Sequence, residues 1–413
     1  MNYSNPAKLA ILACPGGAVF ADQVALHLKN QYRRIFDRAV AEMAKRYAMS
    51  AQDVIKQINF INEIGYKGLF FNVHDTKLKI PRFKIDARWT MFPNGELKTE
   101  LLESVRGKDI YIVQDVENHY PVKFNDGTLS KTLTVNDHLM MIFVTVDAAK
   151  QAGAGRITLV LPVYPYSRQH KKKGREALTA SRIGKMLEAL GVDRVITLDI
   201  HSREIGNGFC RMRLENLHAS YQIIRRLSVM APLQGDDLVV VAPDTGAVDR
   251  NKFYATSLKK PLALLYKERD YSRVTKDAME SNISEIKLLG NVRGKTVFMA
   301  DDMIGTGGTL LKAMKFLKDE GAKDVICAVS LPIFSGDAVR YFEEAYREGL
   351  FHRIIGTNAV YHEKLLKCEW FESVNITKLF AQTISRLHHG LSLSSILDNR
   401  DKIIKSLLSR SAE

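Results

Sequence analysis

The chain has 413 residues, 46% of them hydrophobic and 26% charged, which is an ordinary globular composition with room for two domains and argues against disorder. No apolar run approaches the roughly 18 residues that a membrane span needs. The net charge of +14 is compatible with nucleic-acid binding or with attraction of small anionic substrates. The only dense basic run is 170–175, and we favour small anions over nucleic acid as its ligand.

The chain opens with an apolar segment, and its cysteines are widely spaced. Residues Lys8 to Cys14 are predicted to form a strand, because Pro15-Gly16-Gly17 cuts the segment short and suits a turn better than a signal peptide. Cys14 and the other three cysteines lack CxxC or metal-ligand spacing. Free thiols in a reducing compartment are therefore expected, and with them a cytoplasmic location.

Helical periodicity dominates the next part of the chain. The pattern predicts a helix from about Ala21 to Ala48 and a second from about Ala51 to Ile64, with a polar break near Ser50. Another strand is predicted to start at Phe83-Lys84-Ile85.

Three predicted helices end at a glycine that is soon followed by a β-branched segment. The glycines are Gly153, Gly191 and Gly321. Glycine just past a helix end accepts the left-handed conformation, and β-branched residues favour the strand that follows. Repetition of this pattern is typical of a parallel sheet covered by helices.

One α/β unit is predicted to occur twice. Val105-Arg106-Gly107-Lys108 precedes an apolar strand, and Val292-Arg293-Gly294-Lys295 precedes another. The first strand continues as Val116-Glu117-Asn118-His119 without a glycine-rich turn. Only the second copy can therefore seat a phosphate group.

That second copy, residues 296–309, reads as strand, loop and helix. Its glycines can point backbone N–H groups inward at the start of a helix predicted from about Leu310 to Glu320, which makes a phosphate seat. Asp301 and Asp302 stand where open α/β sheets bind ligands and can accept hydrogen bonds from a sugar diol. Phosphate plus diol indicates a ribose 5-phosphate. The alternative is a βα turn that is merely glycine-rich; a P-loop is excluded because GxxxxGK[ST] is missing.

Asp-Asp-Met-Ile-Gly-Thr-Gly-Gly-Thr at 301–309 resembles the phosphoribosyl-binding loop of the type I phosphoribosyltransferase fold, most closely that of ribose-phosphate pyrophosphokinases. Further stretches favour the latter family over phosphoribosyltransferases. They are Phe-Pro-Asn-Gly-Glu at 92–96, Tyr-Ser-Arg-Gln at 166–169, Asp-Ile-His at 199–201, Pro-Asp at 243–244, Lys-Glu-Arg at 267–269 and Pro-Ile-Phe-Ser-Gly at 332–336.

The resemblance implies an α/β fold of two tandem phosphoribosyltransferase-like domains, with mainly parallel sheets covered by helices and a helical insertion near the N-terminus. We expect an N-terminal domain at 1–218 with the insertion at about 34–80. A C-terminal domain at 219–385 would carry the ribose-phosphate loop. A helical tail at 386–413 would pack on the N-terminal domain.

The resemblance also implies ATP-dependent transfer of diphosphate to the anomeric hydroxyl of ribose 5-phosphate, with Mg²⁺ as cofactor and self-association into a homohexamer built from dimers. Two alternatives stay open. One is a phosphoribosyltransferase that consumes phosphoribosyl pyrophosphate. The other is a non-catalytic regulatory paralogue, motivated by Asn94, His170 and Gly305, which stand where the family commonly has aspartate.

Site residues carried over from the family fall into four groups. Catalysis is assigned to Lys267 and Arg269, and metal binding to His201 and Asp244, although magnesium prefers oxygen ligands and histidine could act through a bound water. ATP binding is assigned to a set from two stretches: Phe92, Asn94, Gly95, Glu96, Arg168, Gln169 and His170. Residues 92–96 would reach the site of a neighbouring subunit. Ribose 5-phosphate binding is assigned to Asp301, Asp302, Gly305, Thr306, Gly307, Gly308 and Thr309.

Overall fold

The computed structural model describes residues 8–57, 82–172, 174–230, 236–269, 283–398 and 403. Side chains of 57, 267–269 and 283–285 lie outside that description. Contacts divide the chain into two compact units. The first comprises Met1–Thr197, Ser202–Asn216 and Thr377–Ile396, and the second comprises Leu198–His201, Leu217–Ile376 and Leu397–Glu413.

The first unit is built on a five-stranded sheet of order β1-β4-β7-β8-β9. These strands are β1 (Leu9–Ala13), β4 (Asp109–Val113), β7 (Arg156–Val160), β8 (Arg194–Leu198) and β9 (Arg213–Leu217). β1, β4, β7 and β8 pair in parallel, with Leu9 opposite Asp109 and Asp109 opposite Arg156. β1 and β4 are buried along their whole length, as expected for strands covered on both faces.

Helices and two hairpins complete the first unit. The helices are α1 (Ala18–Tyr47), α2 (Ala51–Gln57), α3 (Val135–Gln151), α4 (Thr179–Ala189) and α9 (Thr377–His388). One antiparallel hairpin joins β2 (Ala87–Met91) to β3 (Leu97–Leu101), and the other joins β5 (Val122–Phe124) to β6 (Leu129–Lys131). Neither hairpin belongs to the five-stranded sheet.

A polar cluster at the amino ends of β4 and β7 holds helix α9. Arg156 Nε donates to Asp109 Oδ1 at 2.8 Å, and His388 Nδ1 lies 2.8 Å from Asp109 Oδ2. Tyr111 also donates to this buried carboxylate at 3.1 Å. Because these partners satisfy a buried charge, helix α9 is fixed to the first strands of the unit. Contacts thus group 377–396 with the first unit, whereas the predicted boundaries at 218/219 and 385/386 stay predictions.

The second unit is built on a seven-stranded sheet of order β12-β11-β10-β13-β14-β15-β16. The strands are β10 (Leu238–Ala242), β11 (Leu262–Arg269), β12 (Ile283–Leu289), β13 (Thr296–Ile304), β14 (Asp324–Pro332), β15 (Arg353–Thr357) and β16 (Phe371–Val374). All neighbours pair in parallel except the antiparallel edge pair β11–β12. The helices are α5 (Ser220–Met230), α6 (Val248–Leu258), α7 (Gly308–Asp319) and α8 (Ala338–Arg347). A short helix, α10 (Ser394–Leu397), begins in the last segment of the first unit.

The second unit's core lies between this sheet and helices α7 and α8. Fully buried side chains from both layers meet there, among them Met299, Met314 and Trp370. Trp370 stacks on Phe342 with ring centroids 5.8 Å apart, and Phe334 contacts Phe342 edge-on at 5.1 Å. Aromatic packing of this kind makes the loop between β13 and α7 rest on a rigid base.

The predicted mainly parallel α/β fold with an N-terminal helical segment is confirmed. Gly153, Gly191 and Gly321 have φ values of +81°, +90° and +88°, as predicted for residues that end helices. The predicted repeat is also visible. Gly107 N donates to Gly153 O and Gly294 N donates to Gly321 O, both at 2.8 Å.

Several boundaries differ from prediction. The strand expected from Phe83 is only an isolated bridge between Lys84 and Ile11, and the next strand begins at Ala87. α2 ends at Gln57, and residues 58–80 of the predicted insertion lie outside the described residues, as do most residues of the predicted tail from 399 on. In the described parts of the chain, no helix is long and apolar enough to cross a membrane. The four cysteines are free thiols.

Candidate active site

Parallel strands of the second sheet end at one common edge, and the candidate residues of this unit lie along it. β11, β10, β13 and β14 are consecutive neighbours in the sheet. Their carboxyl ends carry Lys267 to Arg269, Asp244, the 301–305 segment and the loop after Pro332, respectively. Such an edge is where open α/β sheets bind ligands.

β13 is longer than the sequence predicted. Asp301 was expected to mark its end, but the strand continues to Ile304 because β14 continues to pair with it, with Asp301 opposite Val329 and Ile304 opposite Pro332. Asn251, missed by the sequence analysis, holds the strand from the other side. Its Oδ1 accepts from Ala300 N at 2.9 Å, and its Nδ2 donates to Ala300 O at 2.8 Å.

The two carboxylates on β13 have different environments. Asp302 is buried and accepts from His201 Nδ1 at 2.5 Å and from Met303 N at 2.9 Å. Burial alone would raise the pKa of Asp302, but the His201 hydrogen bond and the Arg250 charge together lower it. Burial and the negative charge of Asp302 raise the pKa of Asp301 to about 7. Of the two carboxyl groups, Asp301 is therefore the one that holds a proton more readily.

Asp199 is a further site residue that the motif reading did not assign. Its φ of +39° is unusual for a non-glycine residue, and its side chain is buried. His218 Nδ1 lies 2.7 Å from Asp199 Oδ1, and Ser330 Oγ donates to Oδ2 at 2.6 Å. The Arg250 guanidinium lies 3.5 Å from Asp199 and also sits in the field of Asp301 and Asp302. The positive charge of Arg250 thus acts on Asp199 and on both carboxyl groups of β13.

The loop after β13 forms the start of α7. Gly307 has a φ of +78°, and a Cβ at this position would lie 2.2 Å from Cε2 of Phe342, so only glycine fits. Gly305 and Gly308 are buried, whereas Thr306 and Thr309 are exposed. The helix starts at Gly308, two residues earlier than predicted. Its first backbone N–H groups and the two threonine hydroxyls lie at the helix N-terminus, where an anion is favoured.

Lys267 and Arg269 lie at the end of β11. The strand extends through Arg269 because β12 pairs with it, and the pairing has a register shift between Glu268 and Arg269. Their side chains lie outside the described residues. Their catalytic role stays a prediction.

The predicted metal ligands are His201 and Asp244. Asp244 is half-buried, and its Oδ1 accepts from Ala247 N at 3.0 Å, which caps the turn that follows β10. Since Asp302 is ionised, His201 Nδ1 carries a proton, and in the neutral ring the lone pair is on Nε2, as in carboxylate–histidine–metal arrangements. Within the described residues, no three His, Cys, Asp or Glu side chains are grouped to hold a metal ion. The metal-binding role of His201 and Asp244 stays a prediction.

The predicted nucleotide-binding residues belong to the first unit and lie in two loops. Phe92, which is 44% exposed, and Glu96 close the β2–β3 hairpin, where Phe92 N donates to Glu96 O at 2.9 Å. Gly95 has a φ of +92°, the conformation that a three-residue hairpin loop needs at its last position. Asn94 Oδ1 accepts from Glu96 N at 3.2 Å. An aspartate, which the family commonly has at this position, could accept the same hydrogen bond.

The second loop follows β7. Arg168 and Gln169 are exposed and His170 is half-buried. Gln169 N donates to Tyr166 O at 2.8 Å, and Tyr166 has a φ of +56°. Glu117, which the sequence analysis did not select, lies in the field of Arg168, although burial is the larger effect and raises the pKa of Glu117. A carboxyl group is therefore present beside Arg168 even though position 170 is histidine.

Comparison with known proteins agrees with this architecture. Residues 73–191 match the N-terminal domain of ribose phosphate pyrophosphokinase, and residues 212–360 match the phosphoribosyl transferase domain. Ribose-phosphate pyrophosphokinase A of Dictyostelium discoideum is 36% identical over 310 residues, which cover 75% of this chain and 88% of that protein. Ribose-phosphate pyrophosphokinase 2 of Enterococcus faecalis is 33% identical over 315 residues, 76% and 88% of the two chains.

A solved structure supports the same relationship. The crystal structure of phosphoribosylpyrophosphate synthetase from Mycobacterium smegmatis aligns with a TM-score of 0.66 and 26% identity, covering 92% of this chain and 99% of that one. The two sheets and the acidic strand end with its glycine loop define a protein with phosphoribosyltransferase-type domains. The chain belongs to the ribose-phosphate pyrophosphokinase family.

Proposed function

We propose that the protein transfers the diphosphate group of ATP to the anomeric hydroxyl of ribose 5-phosphate, giving phosphoribosyl pyrophosphate and AMP. The observation that carries the proposal is the β13–loop–α7 segment. Two adjacent carboxyl groups, one of them hydrogen-bonded to His201, stand there beside a glycine loop that leads into a helix N-terminus. The names of the relatives describe the same activity.

The reaction joins the anomeric oxygen to the β-phosphorus of ATP and breaks the bond between that phosphorus and the oxygen retained by AMP. Ribose 5-phosphate would bind with its phosphate at Gly305 to Thr309 and its hydroxyls at Asp301 and Asp302. Asp302 accepts from His201 and Met303, and Asp301 Oδ1 accepts from Asp302 N at 2.8 Å, so each carboxyl group keeps an acceptor site for a sugar hydroxyl. Lys267 and Arg269 would offset the charge that develops on the transferred group.

ATP would be held by the exposed Phe92 ring, the polar groups of Asn94 and Glu96, and the loop with Arg168, Gln169 and His170. Guanidinium binds phosphate oxygens in a bidentate manner, which suits Arg168 for the polyphosphate. When bound with ATP, Mg²⁺ would neutralise phosphate charge. His201, directly or through a water, and Asp244 are the groups that would hold it. Assembly as a homohexamer built from dimers, and a cytoplasmic location, belong to the same proposal.

An assay with ATP, Mg²⁺ and ribose 5-phosphate tests it. We expect equal amounts of AMP and phosphoribosyl pyrophosphate, and no AMP when ribose 5-phosphate is omitted. Replacing either Lys267 or Arg269 with Ala should lower turnover by roughly 100- to 1000-fold with small changes in KM, as when one transition-state donor is lost. Lys287→Ala, on the neighbouring strand β12, is the control and should leave turnover unchanged.

Other outcomes would decide between the alternatives. A folded protein that binds ATP but forms no AMP would be a regulatory paralogue, and the residues at 94, 170 and 305 would then be the first to restore to aspartate. Release of diphosphate from phosphoribosyl pyrophosphate upon addition of a base would instead identify a phosphoribosyltransferase. Normal turnover in the Lys267 and Arg269 double variant would remove β11 from the mechanism.

A further inference from the structure

The predicted adenine-binding turn sits on a hairpin that no other described strand extends. β2 and β3 pair only with each other among the described strands. Helix α3 supports β3, where Thr99 Oγ1 lies 3.1 Å from Thr145 Oγ1. Phe92 N bonds to Glu96 O across the turn. The next pair along the ladder, Met91 and Leu97, therefore points its backbone groups away from the partner strand.

Asn125 receives those outward groups of Met91. Its Oδ1 accepts from Met91 N at 3.0 Å, and its Nδ2 donates to Met91 O at 3.2 Å. The two bonds replace, with one side-chain amide, the rung that a further strand would supply. Met91 directly precedes Phe92, so the side chain fixes the backbone at the point where the turn begins.

The loop that carries Asn125 is shaped for this contact. Asn125, Asp126 and Gly127 have φ values of +53°, +54° and +89°, and Asn and Asp tolerate this conformation better than other non-glycine residues. Thr128 Oγ1 donates to Asn125 O at 2.7 Å, which holds the loop.

A second contact joins the same two hairpins but contributes less. Arg88 Nε donates to Asp126 Oδ1 at 3.2 Å, and Arg88 Nη1 donates to Glu100 Oε2 at 3.2 Å. All three side chains are well exposed, and ion pairs of this kind stabilise little. The half-buried amide of Asn125 is the contact that can define the backbone position.

We propose that Asn125 is a positioning residue for nucleotide binding, which holds Met91 so that Phe92, Asn94 and Glu96 meet the adenine in a fixed arrangement. The inference rests on the proposed function and adds to it a residue 34 positions away from the strand that it supports. It assigns Asn125, in the turn between β5 and β6, to ATP recognition.

Asn125→Gly tests the proposal, because glycine keeps the positive φ and removes only the amide. We expect the KM for ATP and the ATP dissociation constant, measured by equilibrium dialysis without ribose 5-phosphate, to rise about tenfold, as expected when two neutral hydrogen bonds no longer position the turn. The KM for ribose 5-phosphate and kcat should change less than about twofold. Asn125→Asp, which keeps the acceptor for Met91 N, should have an intermediate effect.

Asp126→Gly is the matched control, since it changes the next residue of the same conformation and removes the exposed ion pair. It should leave ATP binding unchanged. Unaltered ATP affinity in Asn125→Gly would overturn the inference, and so would an equal rise of both Michaelis constants. A wild-type chain that neither binds ATP nor forms AMP would overturn the proposed function itself, which the same dialysis and AMP measurements report separately.

Discussion

Different contacts constrain Gly305 and Gly307 in the predicted ribose-phosphate loop. Gly307 needs a positive φ and has Phe342 against the place of a side chain. Gly305 is buried, and its carbonyl accepts from Ser335 N at 3.1 Å, so its backbone is held by the loop after β14. The resemblance implies aspartate at position 305 in ribose-phosphate pyrophosphokinases, whereas other members of the wider fold carry a small residue there.

Gly305→Asp is expected to keep activity and to lower the KM for ribose 5-phosphate by a few-fold, leaving that for ATP nearly unchanged. The added carboxylate can accept one hydrogen bond from a sugar hydroxyl, worth about 0.5–1.5 kcal/mol. Steady-state kinetics with each substrate varied would measure this. Gly307→Ala is the contrast and should raise the KM for ribose 5-phosphate. Loss of all activity in Gly305→Asp would mean that the loop binds a different ligand.

The raised pKa of Asp301 predicts that the free energy of unfolding depends on pH. Its pKa in the folded protein, about 7, lies above the ordinary value of 3.8, because burial and the Asp302 charge disfavour ionisation. Between these two pH values the folded chain holds a proton that the unfolded chain has released. The contribution of this carboxyl to stability is therefore fully present below about pH 4 and is lost as pH rises through about 7.

Asp301→Asn should remove this dependence. Relative to the variant, the wild-type free energy of unfolding should fall by about 1–2 kcal/mol between pH 5 and pH 8, measured by urea denaturation without ligands. Asp319→Asn, at the exposed end of α7, is the control and should show no such change. A difference between wild type and Asp301→Asn that is equal at both pH values would contradict the assignment.

At the scale of elements, β13 shows how a strand end is positioned by a neighbouring helix. Its pairing with β10 stops at Val241 and Met299, and the next residue, Ala300, bonds to Asn251 on α6 instead. Asn251 is fully buried and also donates to Ala247 O at 2.9 Å. α6 thereby sets the position of Asp301, one residue further along the strand.

Asn251→Leu should destabilise the protein, because it leaves the Ala300 N–H and C=O groups buried without partners at a cost of about 1–3 kcal/mol each. Thermal and urea unfolding would show the loss, and the KM for ribose 5-phosphate should rise because Asp301 shifts. Asn251→Asp keeps the acceptor for Ala300 N and should be less damaging. Equal stability of wild type and Asn251→Leu would show that the clamp contributes nothing.

At the scale of the whole molecule, the net charge of +14 has two readings, a field for polyphosphates or a nucleic-acid surface. Replacing Lys171, Lys172 and Lys173 with Ala should weaken ATP binding or leave it unchanged. Affinity for single-stranded or duplex nucleic acid should be weak at physiological salt before and after the change. Submicromolar nucleic-acid binding at that salt, lost in the triple variant, would reverse the assignment.

The repeated α/β units can be predicted from the order of residues alone. Glycine ends a helix for local reasons, so the helix ends at Gly153, Gly191 and Gly321 follow from the residue order alone, and so do the turns at Gly107 and Gly294. The glycine loop at 305–309 could also be predicted, since the spacing of its glycines and its position after two aspartates are local features of the sequence. Family resemblance supplied the roles of the individual residues.

The contacts of those residues depend on tertiary packing and could not be predicted from the sequence. His201 meets Asp302 across 101 residues of chain, and Asn251 meets Ala300 across 49, distances over which no local pattern constrains a pair. The same holds for Asn125 and Met91, and for the continuation of β13 to Ile304. The length of a strand depends on which neighbouring strand pairs with it, and the pKa of Asp301 depends on its burial and on the charges that the fold brings near it. Both are properties of packing between distant segments, which a single sequence does not display.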